Sequence, residues 1–303
     1  MNAQAIIERH RKYGFSDIPG EWAAVQHNNQ AAFMGAIDAG DVDAVDGMLA
    51  GMFRGPLAFG FVSLGRNPGK DFPHMLNWRI ALWAKVSDNP VVERLAALDI
   101  GNPLVVPVQS VEGALVPVMI DTPRFDCYAG RICRVLEPYS TVLEIGGGYG
   151  GTALQILRTD PTVQVVLCDL PETLYLAWYW LHSAGVNVAW HDEDTNADVV
   201  LLPASELETW TDVDLVFSAH SLSGMGEEAV AKYMTWLEGS GAGYLYHDDV
   251  VERRTGVWLT DQFPEILVSE FNVPSCYREV WREHTPWSGL TDHFSEFFYE
   301  REP

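Results

Sequence analysis

Short apolar runs alternate with amphipathic stretches through the second half of this 303-residue chain. The apolar runs are short, and turn residues or charged residues bound them, so each run predicts a buried strand. The predicted strands cover 141–145, 163–169, 186–190 with 199–202 as its rival, 214–219, and 242–246. The helices predicted between them cover 152–157, 172–184 and 227–237. Strands that alternate with helices predict an α/β fold, doubly wound around a mainly parallel sheet.

The first 125 residues follow a different pattern. Residues 1 to about 100 are mostly helical by their spacing of apolar positions, and Asp41 is placed to cap a helix beginning at Val42. Two apolar runs in 104–120 flank a polar turn and predict a β-hairpin, whose prolines place both strands at an edge. The sequence therefore predicts two parts, a mainly helical region at 1–125 that shapes or covers a substrate pocket, and a cofactor-binding domain at 126–303.

A glycine-rich turn follows the first predicted strand of the second part. Gly146, Gly148 and Gly151 match G-x-G-x-x-G, the dinucleotide-binding fingerprint. Glu144, Gly146, Gly148 and Gly150 also match E-x-G-x-G-x-G, the first motif of S-adenosylmethionine (SAM) methyltransferases. Glycines let the backbone turn sharply and let a ligand approach it closely. The acidic Glu144 favours SAM, because a carboxylate there can hold the cationic amino-acid end of that cofactor.

A second carboxylate follows at the end of the next predicted strand. Asp169 lies about 20 residues beyond the glycines, where an acidic side chain can accept hydrogen bonds from both hydroxyls of a ribose. The two carboxylates and the glycines together predict a nucleoside cofactor at this edge of the sheet.

Three sequence blocks together resemble the sugar O-methyltransferase family. They are the glycine block 144–151, the Asp-Leu-Pro-Glu-Thr-Leu block 169–174, and the Ser-Ala-His-Ser-Leu-Ser-Gly-Met block 218–225. The resemblance implies a Rossmann-like SAM-binding domain behind a variable N-terminal region, closed by an antiparallel strand pair for which 279–282 and 294–299 are candidates. The cofactor contacts that it implies are Glu144, Gly146, Gly148, Gly150, Asp169 and Leu170. Tyr128 and Arg131, on the helix predicted before the first strand, are placed to reach the carboxylate of SAM.

The acidic composition of the chain limits the kinds of partner that it can bind. The chain has 19 Lys and Arg against 42 Asp and Glu, a net charge of −23, and such a surface repels phosphate backbones and anionic lipids. We therefore expect neither nucleic acid nor membrane as partner. No apolar run approaches the roughly 20 residues of a membrane span, the N-terminus shows no apolar signal segment, and the four cysteines lack metal-site spacing, which together favour a cytoplasmic protein.

The ends of the later strands carry the candidate catalytic groups. His220 follows the fourth core strand, and His247 and Asp248 follow the fifth. A histidine can remove the proton of an acceptor hydroxyl, which has a high pKa when the acceptor is a sugar. In metal-dependent O-methyltransferases an acidic pair follows the fifth strand, and Asp248 and Asp249 resemble that pair. Mg²⁺ held by Asp248 and Asp249 thus remains an alternative to a histidine acting alone.

The sequence accordingly predicts a SAM-dependent O-methyltransferase that acts on a hydroxyl of a sugar or oligosaccharide. The 11 tryptophans give weak support to a carbohydrate acceptor, since flat rings pack on sugar faces. Three alternatives stay open, namely methylation of a non-sugar natural product, a SAM-binding protein without catalysis, and a dinucleotide-dependent dehydrogenase. The oligomeric state is not predicted.

Overall fold

The computed structural model describes residues 2–16, 24–58, 72–253, 265–288 and 293–302. The helices of these residues are α1 Asn2–Tyr13, α2 Ala31–Ala39, α3 Val42–Ala50, α4 Phe72–Val86, α5 Thr122–Val135, α6 Gly151–Thr159, α7 Pro171–Ser183 and α8 Glu227–Ser240. A π-helical turn at Gln26–Gln30 precedes α2, and the longer 3₁₀ turns are Val92–Leu95 and Ala204–Thr209. Asp41 caps α3 by accepting a hydrogen bond from the Ala44 N–H at 3.0 Å, as predicted.

A large mixed sheet organises the second part of the chain. Its strands are β3 Thr141–Ile145, β4 Gln164–Asp169, β5 Val188–Trp190, β6 Val199–Pro203, β7 Leu215–Ala219, β8 Tyr244–Val250, β9 Tyr277–His284 and β10 Phe294–Arg301. They lie in the order β5-β6-β4-β3-β7-β8-β10-β9. Six strands from β5 to β8 are parallel, and β10 and β9 close the sheet antiparallel. The predicted α/β fold with a mainly parallel sheet is therefore confirmed.

The strand order reverses at β3, which has β4 on one side and β7 on the other. Crossovers leave β3 in opposite directions at this point, so a crevice opens beyond the carboxyl ends of the two neighbouring strands. The glycine loop follows β3 directly and therefore lies at this crevice.

The N-terminal part packs on one face of the sheet and does not form a core of its own. Phe33, Leu49 and Trp83 from its helices belong to the same buried cluster as Tyr149 and Leu174 of the second part. The hairpin predicted within 104–120 forms from β1 Val105–Gln109 and β2 Leu115–Met119. In that hairpin Pro107 and Pro117 are paired, which suits residues that cannot donate to a further strand.

Both candidates for the third strand form, and 199–203 takes the inner position beside β4 whereas 188–190 lies at the sheet edge. The prediction that a strand ends at Tyr246 is wrong, because β8 continues through His247, Asp248 and Asp249 to Val250. The physical reason is β10, which pairs with β8 as far as Val250 and extends it past the end of β7.

No helix among the described residues is both long enough and apolar enough to cross a lipid bilayer.

Candidate active site

A cavity of about 860 Å³ opens at the carboxyl ends of β3, β4 and β7. The glycine loop and Asp169 form one wall, and His220 with the turn after it forms another. The N-terminal half of α8 and the start of α5 contribute the remaining wall, including Arg124 and Lys232. The cavity thus occupies the crevice that the strand order creates, and it unites residues from the three sequence blocks.

The glycine loop has the backbone that the motif predicts. Gly146, Gly148 and Gly150 have φ values of 70°, 60° and 88°, in the left-handed region that favours glycine. A Cβ atom on Gly146 would lie 2.2 Å from the Ser221 hydroxyl oxygen, so even alanine cannot be accommodated there without a shift. The loop backbone therefore approaches both the neighbouring turn and the cavity as closely as the fold allows.

The Glu144 side chain lies directly beneath this loop, at the end of β3. A Cβ atom on Gly147 would lie 3.0 Å from Oε2 of Glu144, which shows how near the carboxylate is to the loop backbone. Oε2 is buried and has no hydrogen-bond partner among the described residues. Burial raises the pKa of Glu144 to about 8, and the charge of Asp169 adds to that increase against a hydrogen bond from Thr152. A buried carboxylate oxygen without a donor is a site for a cationic or N–H-bearing ligand group.

Asp169 ends β4 and lies opposite Glu144 in the cavity wall. Its Oδ2 accepts a hydrogen bond from the Gly148 N–H at 2.9 Å, and its Oδ1 accepts one from the Leu170 N–H at 2.7 Å. Burial raises the pKa of Asp169 to about 7 in spite of these two hydrogen bonds. The carboxylate therefore fixes the glycine loop as well as facing the ligand space, a role that the sequence did not indicate. Leu170 lines the cavity beside it and is followed by Pro171, the first residue of α7.

His220 follows β7 and reaches the cavity from a left-handed backbone with a φ of 55°. Its N–H donates to the carbonyl of Asp248 at 2.8 Å, and its Nε2 lies 3.3 Å from Oδ2 of Asp248. The His220 side chain is 26% exposed, whereas that of Asp248 is fully buried. A non-glycine residue held in this backbone region at a cavity is a recurrent feature of functional sites.

Asp248 is held by three groups on its own face of the sheet. Tyr128 donates a hydrogen bond to Oδ2, Thr285 donates one to Oδ1, and His220 is the third group. Burial acts to raise the pKa of Asp248, but the charge of His220 and these hydrogen bonds outweigh it and lower that pKa. Asp248 is thus a buried carboxylate that can orient the His220 ring and balance its positive charge.

The structure does not bring His247 and Asp249 to this site. Successive side chains of a strand point to opposite faces, so His247 and Asp249 lie on the face of β8 opposite to Asp248. Nδ1 of His247 lies 3.3 Å from Oδ2 of Asp249, and its ring stacks on Phe297 at 4.9 Å. Asp249 also accepts a hydrogen bond from the Ser223 N–H at 3.1 Å.

The same alternation decides the question of a metal site. Asp248 and Asp249 cannot share one cation from opposite faces of a strand. No group of three or more His, Cys, Asp or Glu within the described ranges is arranged to hold a metal ion. The residues present therefore do not fit the Mg²⁺ site that the acidic pair predicted, and we derive no step through a metal.

Tyr128 and Arg131 lie elsewhere than predicted. Tyr128 is fully buried beneath the cavity and contacts Asp248, so the structure puts it behind the candidate base and not in the cavity wall. Arg131 pairs with Glu296 and Glu283 and lies over the ring of Trp281. The arginine of α5 that does line the cavity is Arg124, four residues before Tyr128 and so one helical turn away.

Neither Arg124 nor Thr285 was predicted from the sequence. The one available signal for Arg124 was its position at the start of the helix that precedes β3, and nothing local distinguished Thr285. The tryptophans, in contrast, do not support a carbohydrate site. Among the described residues no tryptophan lines the cavity, whose rings come from Phe125, Tyr149, Tyr233 and His220.

No protein-family model matches the sequence, and a search of curated proteins found no match. The solved structures that are similar to part of the chain include methyltransferases. The mitomycin 7-O-methyltransferase is 17% identical with a TM-score of 0.42, over 60% of this chain and 56% of that one. An O-methyltransferase family 2 protein from Planctomyces limnophilus, in complex with apigenin, is 18% identical with a TM-score of 0.41, over 59% and 57%.

The magnesium protoporphyrin IX methyltransferase from Synechocystis, with bound SAH, is 11% identical with a TM-score of 0.45, over 60% of this chain and 83% of that one. The match thus spans little more than half the length of the first two structures. Because the identities and TM-scores are this low, we base the function below on the site itself.

Proposed function

We propose that this protein is a SAM-dependent O-methyltransferase. The observation that carries the proposal is the buried Oε2 atom of Glu144, which lies against the glycine loop without a donor among the described residues. The amino-acid end of SAM has an ammonium group that would supply the missing donor and a positive charge. An ion pair formed in such a buried place replaces an unfavourable desolvated carboxylate with a charge-assisted hydrogen bond.

The same atom disfavours a dinucleotide. In dinucleotide-binding folds the pyrophosphate sits on the glycine loop, at the N-terminus of the following helix. Here that loop lies directly over Glu144, and Asp169 faces it from β4. When they are ionised, the two carboxylates repel an anionic pyrophosphate at this place and attract a cationic ligand.

When bound, SAM supplies an electrophilic methyl group on its sulfonium. The chain's own residues would then perform five tasks. Glu144 binds the amino group, the glycine loop admits the methionyl end, and Asp169 accepts the hydrogen bonds of the ribose. Nε2 of His220 lies 3.3 Å from Asp248, and we assign to its other ring nitrogen, Nδ1, the role of taking the proton of the acceptor hydroxyl. Asp248 stabilises the imidazolium that results.

For the acceptor we propose a hydroxyl on an aromatic or otherwise conjugated molecule. A histidine with a carboxylate behind it suits a phenol, with a pKa of about 10, better than a less acidic sugar hydroxyl. The Phe125 and Tyr149 rings in the cavity wall can pack on a flat acceptor. A sugar hydroxyl is the second candidate, and the three sequence blocks are the observation in its favour.

Calorimetric titration with SAM, SAH and NAD tests the cofactor. We expect SAM and SAH to bind and NAD to bind at least tenfold more weakly. Glu144→Gln should weaken SAM by about 10- to 100-fold, because it removes one charge-assisted hydrogen bond. The matched control is Glu208→Gln, since Glu208 lies at the same cavity with a side chain that is 74% exposed. Tighter binding of NAD than of SAM, or equal SAM affinity in Glu144→Gln, would contradict the proposal.

The pKa of Glu144 adds a pH test. With that pKa raised to about 8, the carboxyl is mostly protonated at pH 6 and must lose its proton to bind an ammonium. The affinity for SAM should therefore rise roughly tenfold per pH unit between pH 6 and 7.5. This rise should be absent in Glu144→Gln. The same variant should unfold at a higher temperature than the wild type without ligand at pH 7, because stability is lost as pH rises from the ordinary glutamate pKa towards 8.

Methyl transfer from labelled SAM to a panel of phenols and saccharides tests the acceptor, with and without EDTA. We expect turnover of phenols that EDTA does not change. Turnover confined to saccharides would replace the first acceptor class with the second.

A further inference from the structure

Arg124 is a cation in the cavity wall with unused capacity for hydrogen bonding. Its side chain is 15% exposed, and its Nε is buried without a hydrogen-bond partner among the described residues. Among the described residues its ion-pair contact is Asp121, with Nη2 at 3.5 Å from Oδ1. A guanidinium has five N–H donors in a planar fork that matches a carboxylate.

The carboxylate of Asp121 is already shared. The same Oδ1 atom accepts a shorter hydrogen bond, 2.7 Å, from Nη1 of Arg79, whose side chain is 8% exposed. One aspartate therefore lies between two arginines, and Arg124 is the one of the two that lines the cavity.

Arg124 lies near the candidate base. The charges that act on Arg124 include Asp248, the aspartate that lies 3.3 Å from His220. Both Arg124 and His220 line the cavity, so a ligand can contact both. If such a molecule places a hydroxyl at His220, its other substituents lie in the same cavity as the Arg124 side chain.

We propose that Arg124 binds a carboxylate of the acceptor, so that the substrate is a hydroxy acid whose hydroxyl is methylated at His220. This inference rests on the proposed methyltransferase function and specifies its substrate class. A fork of N–H donors on one side and a base on the other would fix both the position and the orientation of such a molecule.

The carboxylate of SAM is the other carboxylate that Arg124 could bind in this cavity. An α-amino acid carries its ammonium and carboxylate on one carbon atom, so the carboxylate of a bound SAM would lie close to Glu144. The charge of Asp169 influences the Glu144 carboxyl, whereas the charges of Asp121 and Asp248 influence the Arg124 guanidinium. The acceptor side of the cavity is therefore the better placed source.

The test compares 4-hydroxybenzoate with 4-hydroxybenzamide, which share the ring and the hydroxyl and differ in charge. Each is titrated calorimetrically into the full-length protein, with and without saturating SAH. We expect the acid to bind at least tenfold more tightly than the amide to the SAH complex. Arg124→Met should abolish this preference, and Arg124→Lys should retain part of it. Lys232→Met, which removes the lysine that lines the same cavity, should keep the whole preference.

Arg124→Met leaves Asp121 paired with Arg79, so we expect it to fold, and its thermal unfolding checks this. SAH and methylthioadenosine, which lacks the amino-acid part, are titrated into the same variant to separate the two sources. Loss of SAH affinity with unchanged methylthioadenosine affinity would assign Arg124 to the cofactor and overturn the proposal. Equal affinity for acid and amide in the wild type, including no measurable binding of either, would also overturn it. If SAM and SAH fail to bind while Arg124-dependent binding of 4-hydroxybenzoate persists, the carboxylate site stands and the methyltransferase function falls.

Discussion

An aspartate and a histidine lie close together on each face of strand β8, in different surroundings. On one face Asp248 lies 3.3 Å from Nε2 of His220, which is 26% exposed and lines the cavity. On the other face Asp249 lies 3.3 Å from Nδ1 of His247, and both side chains are fully buried. The distances are equal, so proximity of a histidine to an aspartate does not distinguish a candidate base from a structural pair.

Access and supporting contacts make the difference. His247 is packed flat against Phe297 and Tyr299, and neither His247 nor Asp249 lines the cavity. Asp249 serves the backbone instead, because it accepts a hydrogen bond from Ser223 in the turn after β7. The first pair is therefore accessible to a ligand in the cavity, whereas the second contacts the turn after β7.

The largest expected effect comes from the two histidines. His220→Gln should lower kcat for methyl transfer by about 10²- to 10⁴-fold, because it removes the proposed general base. His247→Gln should leave kcat within about threefold of wild type and should affect thermal unfolding instead. Initial rates at saturating SAM and acceptor measure the first effect, and an unchanged dissociation constant for SAH in His220→Gln is the control. Similar loss of rate in both variants would remove the distinction between the pairs.

The two aspartates should separate in the same way with a smaller effect. Asp248→Asn removes the charge that stabilises a protonated His220 and should lower kcat by about 10- to 100-fold at unchanged SAM affinity. Asp249→Asn should leave kcat nearly unchanged, since its amide oxygen can still accept from Ser223. Steady-state kinetics with KM and kcat determined separately make the comparison. A fall of kcat in Asp249→Asn alone would show that the wrong face was chosen.

The pKa directions of the two aspartates predict opposite effects on folding. The pKa of Asp248 is lowered, so its charged form stabilises the fold above the ordinary aspartate pKa, and that contribution is lost as pH falls through the lowered value. Burial raises the pKa of Asp249 by more than its hydrogen bonds lower it. Its contribution to folding stability is therefore present at acid pH and is lost as pH rises through the raised pKa.

At pH 7, Asp248→Asn should therefore reduce the free energy of unfolding and Asp249→Asn should increase it, each by about 1–2 kcal/mol. Urea unfolding at pH 7 and again near pH 3 provides the measurement, and both differences should shrink at the lower pH. Shifts of the same sign at pH 7 would contradict this assignment of the two environments.

The smallest effect concerns two hydroxyls behind the aspartates. Thr285→Val removes a donor to Asp248, and Ser223→Ala removes the acceptor of a 3.1 Å hydrogen bond from the Val250 N–H. Each should cost about 0.5–1.5 kcal/mol of folding stability. Thr285→Val should also lower kcat a few fold, whereas Ser223→Ala should not, and the same kinetic assay with thermal unfolding decides between them.

Most of the sheet could be predicted because its signals are local. Apolar runs bounded by turn residues located β3, β4 and β7, and each is buried as expected. The end of β8 could not be predicted locally, because its last residues are polar and are strand only through pairing with β10, about 50 positions away in the sequence. The membership of α1–α4 in the same core as the sheet likewise depended on contacts between distant segments.

The candidate site likewise has one part that local sequence predicts and another that depends on contacts between distant segments. The sequence by itself determined the glycine loop and the carboxylates Glu144 and Asp169, because a strand, a turn and a helix in succession place these residues together whatever surrounds them. Only the tertiary structure decided that Asp248 joins His220 and Tyr128 while Asp249 joins His247, and that Arg124 rather than Arg131 faces the cavity. The physical reason is that strand alternation and helix rotation give each side chain one direction, and long-range packing sets which direction leads to the cavity.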